Sequence, residues 1–141
     1  MTNKLYLADL SDMSEEEIKE HIAAEYSGST VGFDVRYPIP ECRSALAAIL
    51  ENFSVIIAYE SVGDCGCDSS SWFLVQEKTS GLLYEFSGSH CSCYGFEGQF
   101  YLEETTLEYL QSAKFYMNCG GYDDYAEENI TRITNFLKEM K

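Results

Sequence analysis

Two short cysteine motifs are the residues of this sequence best suited to chemistry. Cys65 and Cys67 form one CxC motif, Cys91 and Cys93 form another, and together they supply four of the six cysteines in the chain. Side chains at positions i and i+2 lie on the same face of an extended chain, so each motif presents two sulfurs in one direction. Four thiolates suit a tetrahedral zinc ion, with Zn–S bonds of about 2.3 Å.

The segment between the motifs predicts a β-hairpin. Residues 72–75 and 82–86 are aromatic and branched, as is typical of strands, and Thr79, Ser80 and Gly81 separate the two runs. Antiparallel strands joined by such a turn return to the same end of a sheet. The hairpin therefore predicts that the two CxC motifs meet at its open end.

The register of this hairpin decides which sulfurs face each other. A hairpin centred on Thr79 sets Cys65 opposite Cys93 and Cys67 opposite Cys91, at the spacing of about 5 Å that suits a shared zinc ion. A left-handed Gly81 would instead favour a centre one residue later. From the mirror spacing we predict a four-cysteine zinc site.

Other interpretations of the cysteines stay open at this point. They could form disulfides, but residues 1–30 contain no apolar signal segment, so we expect a reducing cytosol, in which disulfides are rare. They could also be inert core thiols. Four cysteine ligands leave no position for an activated water, so we expect a structural zinc. Whether His90 or Cys119 takes part in the site is open, and a site with His90 could serve a small zinc-dependent enzyme.

Catalytic motifs are missing from the sequence. It has no glycine-rich phosphate loop, no GxSxG and no HExxH, and it contains two histidines, His21 and His90. His21 falls on the flank of the first predicted helix, which indicates a surface position. We therefore expect a protein that is not an enzyme.

The charge restricts the class of partner. Nine basic and 24 acidic residues give a net charge of −15. Direct binding to nucleic acid or to an anionic membrane is disfavoured, because both require a positive surface, and no apolar run approaches the length of a membrane span. A partner should be a basic protein, although the charge could also serve solubility alone.

The acidic residues cluster in three places that face water in the predicted helices or fall near them. Ser14 and Glu17 match a capping box, which starts a first helix with Ile18, Ile22 and Tyr26 as its buried stripe. We predict that these three clusters are candidate partner-binding surfaces. Their residues are Glu15, Glu16, Glu17 and Glu20; Glu103, Glu104 and Glu108; and Asp123, Asp124, Glu127 and Glu128.

The remaining elements indicate one α+β domain over residues 1–141. A second helix should begin at Pro40 and carry Cys42 and Phe53 on its buried face. Strands are predicted at 5–10, 31–37, 54–59 and 114–118, a short helix at 104–112, and a final amphipathic helix after Asp123 or Asp124 with Ile130, Ile133 and Leu137 in its stripe. We expect a compact domain with about four helices and a mixed or antiparallel sheet.

One segment resembles a known family. Residues 88–99, GSHCSCYGFEGQ, followed by 103–108, EETTLE, are similar to a signature of small phage and prophage proteins, and with the CxC motif at Cys65 they cover less than a third of the chain. Size, acidity, the predicted zinc site and the missing catalytic residues also resemble the phage anti-CRISPR inhibitors of type II effectors.

The resemblance implies a function. It implies a phage-encoded protein that binds a type II CRISPR effector nuclease in the host bacterial cytoplasm and blocks target DNA loading or cleavage. Such nucleases hold nucleic acid in a positively charged channel, to which an acidic protein could be steered. The alternative is a zinc-stabilised inhibitor or adaptor of another basic host protein that handles nucleic acid.

Overall fold

Five strands and four helices make up the part of the chain that the computed structural model describes, residues 4–26, 42–62, 69–90, 102–115 and 126–140. The strands are β1 (Leu5–Ala8), β2 (Phe53–Val62), β3 (Ser69–Glu77), β4 (Leu83–His90) and β5 (Glu103–Thr105). The helices are α1 (Glu15–Tyr26), α2 (Arg43–Leu50), α3 (Leu107–Leu110) and α4 (Ala126–Glu139). None of these four helices combines the length and apolarity needed to cross a bilayer.

The strands form a single mixed sheet in the order β1-β2-β3-β4-β5. Strand β1 runs parallel to β2, and each later neighbour pairs antiparallel. A parallel pair requires a crossover connection, and α1 and α2 lie in the chain between β1 and β2. The prediction of a compact α+β fold with about four helices and a mixed sheet is therefore confirmed.

Helices cover both faces of the sheet, because successive strand residues point to opposite sides. Val75 packs with the residues of α1 and α2, whereas Leu74 packs with those of α3 and α4. The first core includes Ile18, Ile22, Tyr26, Leu46, Leu50, Phe73 and Phe86. The second core includes Leu7, Ile57, Trp72, Leu110, Ile133 and Leu137. The domain therefore consists of three layers, with the sheet in the middle.

Helix α1 begins as the sequence predicts. The Ser14 N–H donates to Glu17 Oε1 at 3.1 Å, and the Glu17 N–H donates to Ser14 Oγ at 3.2 Å. This reciprocal pair is a capping box, which satisfies two of the N–H groups that have no partner in the first turn. The predicted buried stripe is also present: Ile18, Ile22 and Tyr26.

A β-bulge at Ile56 is fixed by side chains from β1 and α1. The ladder between β2 and β3 shifts register after Val55, and Ile56 and Ile57 both pack in the core beneath α3 and α4. The Tyr6 hydroxyl donates to the Val55 carbonyl at 3.0 Å, and the Val55 N–H donates to a Glu15 carboxylate oxygen at 3.1 Å. Burial, together with the Glu15 charge, raises the pKa of Tyr6 to about 12. Tyr6 therefore remains a neutral donor.

The prediction for the second helix is wrong at its start. Pro40 lies outside the described residues, and α2 begins at Arg43 with Cys42 as its N-cap, in an extended backbone conformation (φ −137°, ψ 160°). Cys42 is exposed rather than buried in the core, because it precedes the first helical turn. Phe53, predicted on the same helix face, instead begins β2 and is buried there.

The predicted helix at 104–112 is two elements. Glu103–Thr105 pairs with β4 as the edge strand β5, and the helix begins only after Thr106, whose Oγ1 accepts a hydrogen bond from the Tyr109 N–H at 3.1 Å. A strand was also predicted at 114–118. Lys114 and Phe115 are not part of a strand, and residues 116–118 lie outside the described residues. The strand predicted at 31–37 also lies outside them.

The final helix matches its predicted stripe. Ile133 and Leu137 are fully buried in α4, and Ile130 is partly buried. The Gln111 amide donates to the carbonyls of Leu137 and Met140 at 2.8 and 2.9 Å, so the residue that follows α3 caps the carboxyl end of α4. The predicted caps, Asp123 and Asp124, lie outside the described residues.

Candidate functional site

The register of the β3–β4 hairpin differs from the predicted register by one residue. Trp72 pairs with Ser87 and Gln76 pairs with Leu83, so the ladder is centred between Thr79 and Ser80 rather than on Thr79. Gly81 adopts a left-handed conformation, with φ +76°, and the observed centre lies half a residue after Thr79 and half a residue before the centre expected for a left-handed Gly81.

All four predicted zinc ligands lie outside the described residues, but the strands that lead to them are described. Ser69 at the start of β3 is the Cα partner of both Val62 at the end of β2 and His90 at the end of β4. Cys65 and Cys67 fall within the connection of residues 63–68 between Val62 and Ser69, and Cys91 and Cys93 follow His90. The strand ends that lead to the two CxC motifs therefore meet at one end of the sheet.

The shifted register changes what a shared zinc site would require. If the ladder simply continued past Ser69 and His90, its register would put the two CxC motifs on opposite faces of the sheet. Convergence of four sulfurs therefore requires the chain to leave the regular ladder between these paired residues and the cysteines. Within the described ranges, no cluster of three or more His, Cys, Asp or Glu side chains could hold a metal. Cys119 lies outside these ranges.

The acidic cluster on α1 is divided between structural and solvent-facing roles. Glu15 is half-buried: its carboxylate accepts hydrogen bonds from Lys4 and the Val55 N–H, and Lys19 Nζ lies 3.7 Å from Oε1. Burial pushes the pKa of Glu15 upward, but these hydrogen bonds and lysine charges outweigh burial and hold it below its ordinary value. Glu16 and Glu20 are exposed, as predicted.

The other two acidic clusters are described to different extents. Glu103 and Glu104 on β5 and Glu108 on α3 are all exposed. Glu128 on α4 is exposed as well, whereas Asp123 and Asp124 lie outside the described residues and Glu127 is described only as part of the α4 backbone. The acids around β5 are therefore the best-defined candidate surface after those on α1.

A histidine–carboxylate pair joins α1 to β2. The His21 Nε2 atom lies 3.1 and 3.0 Å from the two carboxylate oxygens of Glu60, whose side chain is only 8% exposed. The prediction of a surface position for His21 is wrong, since its side chain is only 22% exposed. The available signal was Glu60 itself, because an acid inside a central strand needs a cationic partner.

The pair favours the imidazolium form of His21. The hydrogen bond to Glu60 raises the pKa of His21; burial opposes this shift, and the charges of Glu60, Glu25 and Asp9 add to it. His21 thus binds a proton more tightly in the folded protein than in the unfolded chain. The pair joins α1 to the sheet, and Glu60 lies two residues before the end of β2.

A second carboxylate is held against the core beneath α3 and α4. The indole N–H of Trp72 donates to Glu85 Oε1 at 3.3 Å, and Glu85 is the cross-strand partner of Glu103. Burial raises the pKa of Glu85; the hydrogen bond from Trp72 opposes this, while the Glu103 charge adds to it. Glu85 therefore binds a proton more tightly in the folded protein than in the unfolded chain.

We expect Glu85→Gln to stabilise the protein at pH 7 by about 1 kcal/mol, because the amide oxygen still accepts from Trp72 without the cost of a half-buried charge. A raised carboxyl pKa means that the folded state gains stability as the pH falls, so the difference between variant and parent should shrink toward pH 4. Urea unfolding followed by Trp72 fluorescence measures both values. Glu20→Gln removes the same charge from an exposed position. Equal effects of the two substitutions would contradict the assignment to burial.

Comparison of the chain with protein-family models, with curated proteins and with solved structures finds no match. We therefore infer the function of the chain from its residues, from the geometry of the sheet end and from the distribution of charge.

Proposed function

We propose that this chain is a zinc-stabilised acidic binding protein, encoded by a phage, that inhibits a type II CRISPR effector nuclease in the host bacterial cytoplasm. The class of partner comes from the resemblance of residues 88–99 and 103–108 to phage proteins. The mode of action comes from the chemistry of the chain, which offers a strongly acidic surface and a set of thiols suited to a structural metal.

The structural observation that supports the proposed zinc site is the pairing of Ser69 with both Val62 and His90. Consecutive Cα atoms lie about 3.8 Å apart, so Cys67 and Cys91, two residues and one residue from this pairing, are within reach of a common ion. Cys65 and Cys93 lie two residues further along their chains. Four thiolates bound to one zinc would tie the β2–β3 connection to the segment after β4.

The zinc in this proposal contributes stability rather than chemistry. When bound, it would supply a cross-link whose binding free energy adds to folding, because an unfolded chain has no preformed site. Cys65, Cys67, Cys91 and Cys93 would hold it, and a shell filled by four cysteines has no open position for substrate. Inhibition would then follow from binding alone.

Electrostatics supports a basic partner. The net charge is −15, and exposed acids occur on α1, β5, α3 and α4. Type II effectors hold nucleic acid in a positively charged channel, and complementary charge raises association rates to such a surface. Occupation of that surface would exclude target DNA by competition for the same cationic side chains.

DNA cleavage by a panel of type II effectors, with and without the purified protein, tests the proposal. We expect stoichiometric inhibition of at least one effector, with association that slows as salt rises because steering is screened beyond about 8 Å at physiological ionic strength. If no effector is inhibited while the protein captures another basic nucleic-acid-handling protein from a bacterial lysate, the partner assignment is wrong and the alternative partner class replaces it.

A further inference from the structure

We infer that the docking surface for a basic protein is the edge of the domain formed by β5, α3 and the adjoining hairpin turn, with Leu82 and Tyr109 as apolar anchors. We call this the β5–α3 edge, comprising Leu82, Glu103, Glu104, Glu108 and Tyr109. The inference deepens the proposed function, on which it rests for the class of partner. It selects one of the acidic clusters and adds apolar residues that the charge pattern does not contain.

Exposed apolar residues distinguish this edge. In the described part of the chain, the large hydrophobic side chains with substantial exposure are Leu82 at 41% and Tyr109 at 38%. Leu82 immediately precedes Leu83, the cross-strand partner of Thr105, and Tyr109 follows in the first turn after Thr106. Both therefore flank the same short stretch of acidic chain.

The acids of this edge are held by regular structure. Glu103 and Glu104 pair with Glu85 and Tyr84 of β4, so they point to the two opposite sides of this edge strand, and Glu108 lies in a helix that Thr106 caps. Carboxylates on paired strands and capped helices lose less conformational freedom on binding than those on flexible loops, so more of each contact is retained as affinity. The Glu103 charge is also felt at Glu85, where it helps to raise the pKa of the carboxyl group.

Tyr109 is already oriented. Its ring packs edge-on against Phe115 with centroids 5.7 Å apart, and Phe115 in turn lies 5.8 Å from the buried Trp72. A tyrosine supported in this way presents apolar area and a hydroxyl with little rotamer freedom to lose, as is typical of the residues that dominate protein interfaces. Acids around an apolar anchor fit a partner surface that presents arginines beside an apolar socket.

The acids of α1 fit this role less well. Glu15 is engaged with Lys4, Lys19 and the Val55 N–H, and Glu17 accepts from the Ser14 N–H. No residue of α1 is among the exposed large hydrophobic side chains of the described residues. Its exposed carboxylates, Glu16 and Glu20, add to steering, but they lack an apolar anchor.

A peptide of alternating arginine and leucine tests the surface without any effector nuclease. We expect titration of the isotope-labelled protein to shift the amide resonances of residues 82–85 and 103–110 most strongly. The triple variant Glu103→Lys, Glu104→Lys and Glu108→Lys should weaken peptide binding by more than about tenfold, because each lost charge-assisted contact removes a substantial part of the free energy of peptide binding. Leu82→Ala with Tyr109→Ala should weaken it by about threefold or more at unchanged net charge.

The matched control makes the same change in net charge at other exposed positions. Glu16→Lys, Glu20→Lys and Glu128→Lys change the net charge equally at exposed positions and should alter the affinity by less than about threefold. Amide shifts spread evenly over all acidic clusters, equal losses in the two triple variants, or no measurable binding of the peptide would each overturn the inference. Because the probe is a peptide, these results are independent of whether any CRISPR effector is inhibited.

Discussion

Cys91→Ser should abolish zinc binding and lower the melting temperature by about 10 °C or more. A serine hydroxyl is a poor zinc ligand, and structural zinc contributes about 10–16 kcal/mol in isolated fingers. The two cores on either side of the sheet provide stability of their own, so we expect a smaller loss here. A loss of about 3 kcal/mol corresponds to roughly 10 °C in a domain of this size. Elemental analysis and thermal unfolding by circular dichroism measure the two effects.

Cys42→Ser is the matched control for this experiment. Cys42 is exposed at the N-cap of α2, on a different element from either CxC motif, and serine is a favourable N-cap residue. The control should keep about one zinc per chain and melt at or slightly above the temperature of the parent. A parent protein purified without metal, or a Cys91→Ser variant with full zinc content and unchanged melting, would exclude the four-cysteine site.

Local sequence signals predicted the elements whose residues interact within a few positions. The capping box of Ser14 and Glu17 and the stripe of Ile18, Ile22 and Tyr26 set the start and the buried face of α1, and both are present in the structure. The interactions involved span one or two helical turns, so a short window of sequence contains them.

Pairing between distant segments was harder to predict. Glu103 and Glu104 have low strand propensity, and they form β5 because β4 offers them an edge to pair with. The hairpin register depended on whether Gly81 adopts a left-handed conformation, which moves every opposed pair by one residue. The mirror spacing of the cysteines favoured a centre on Thr79, half a residue before the observed centre.

The candidate sites also differ in whether their residues are neighbours in the sequence or come from distant segments. The CxC motifs are visible in the sequence because the two cysteines of each motif are neighbours in the chain, and the predicted hairpin brings the two strand ends that lead to the motifs to one end of the sheet. The contact of His21 with Glu60 joins α1 to β2 across many intervening residues, so helical periodicity placed His21 on the flank without showing what covers it. The apolar anchors Leu82 and Tyr109 required the exposure of each side chain to be known.

His21→Gln should destabilise the protein most at mildly acidic pH. The raised pKa of His21 means that the imidazolium–carboxylate pair contributes its full stability below the ordinary histidine pKa of about 6.5 and loses it as the pH rises through the folded value. A hydrogen bond between charged groups is worth about 1.5–3 kcal/mol, so we expect a difference of about 2 kcal/mol from the parent at pH 5.5. Urea unfolding across pH 5.5 to 9 measures how this difference declines.

A double-mutant cycle with Glu60→Gln separates the pair from the other acids near it. Asp9 and Glu25 also act on His21, so the single variant alone would combine several charges. The coupling between His21→Gln and Glu60→Gln should be about 2 kcal/mol at pH 5.5 and should fall toward pH 9, because the imidazole loses its proton and the attraction between two opposite charges is lost. A coupling that is already below about 1 kcal/mol at pH 5.5 and stays constant to pH 9 would mean that His21 is neutral in the folded protein, and the pair would then position α1 without a charge on the imidazole.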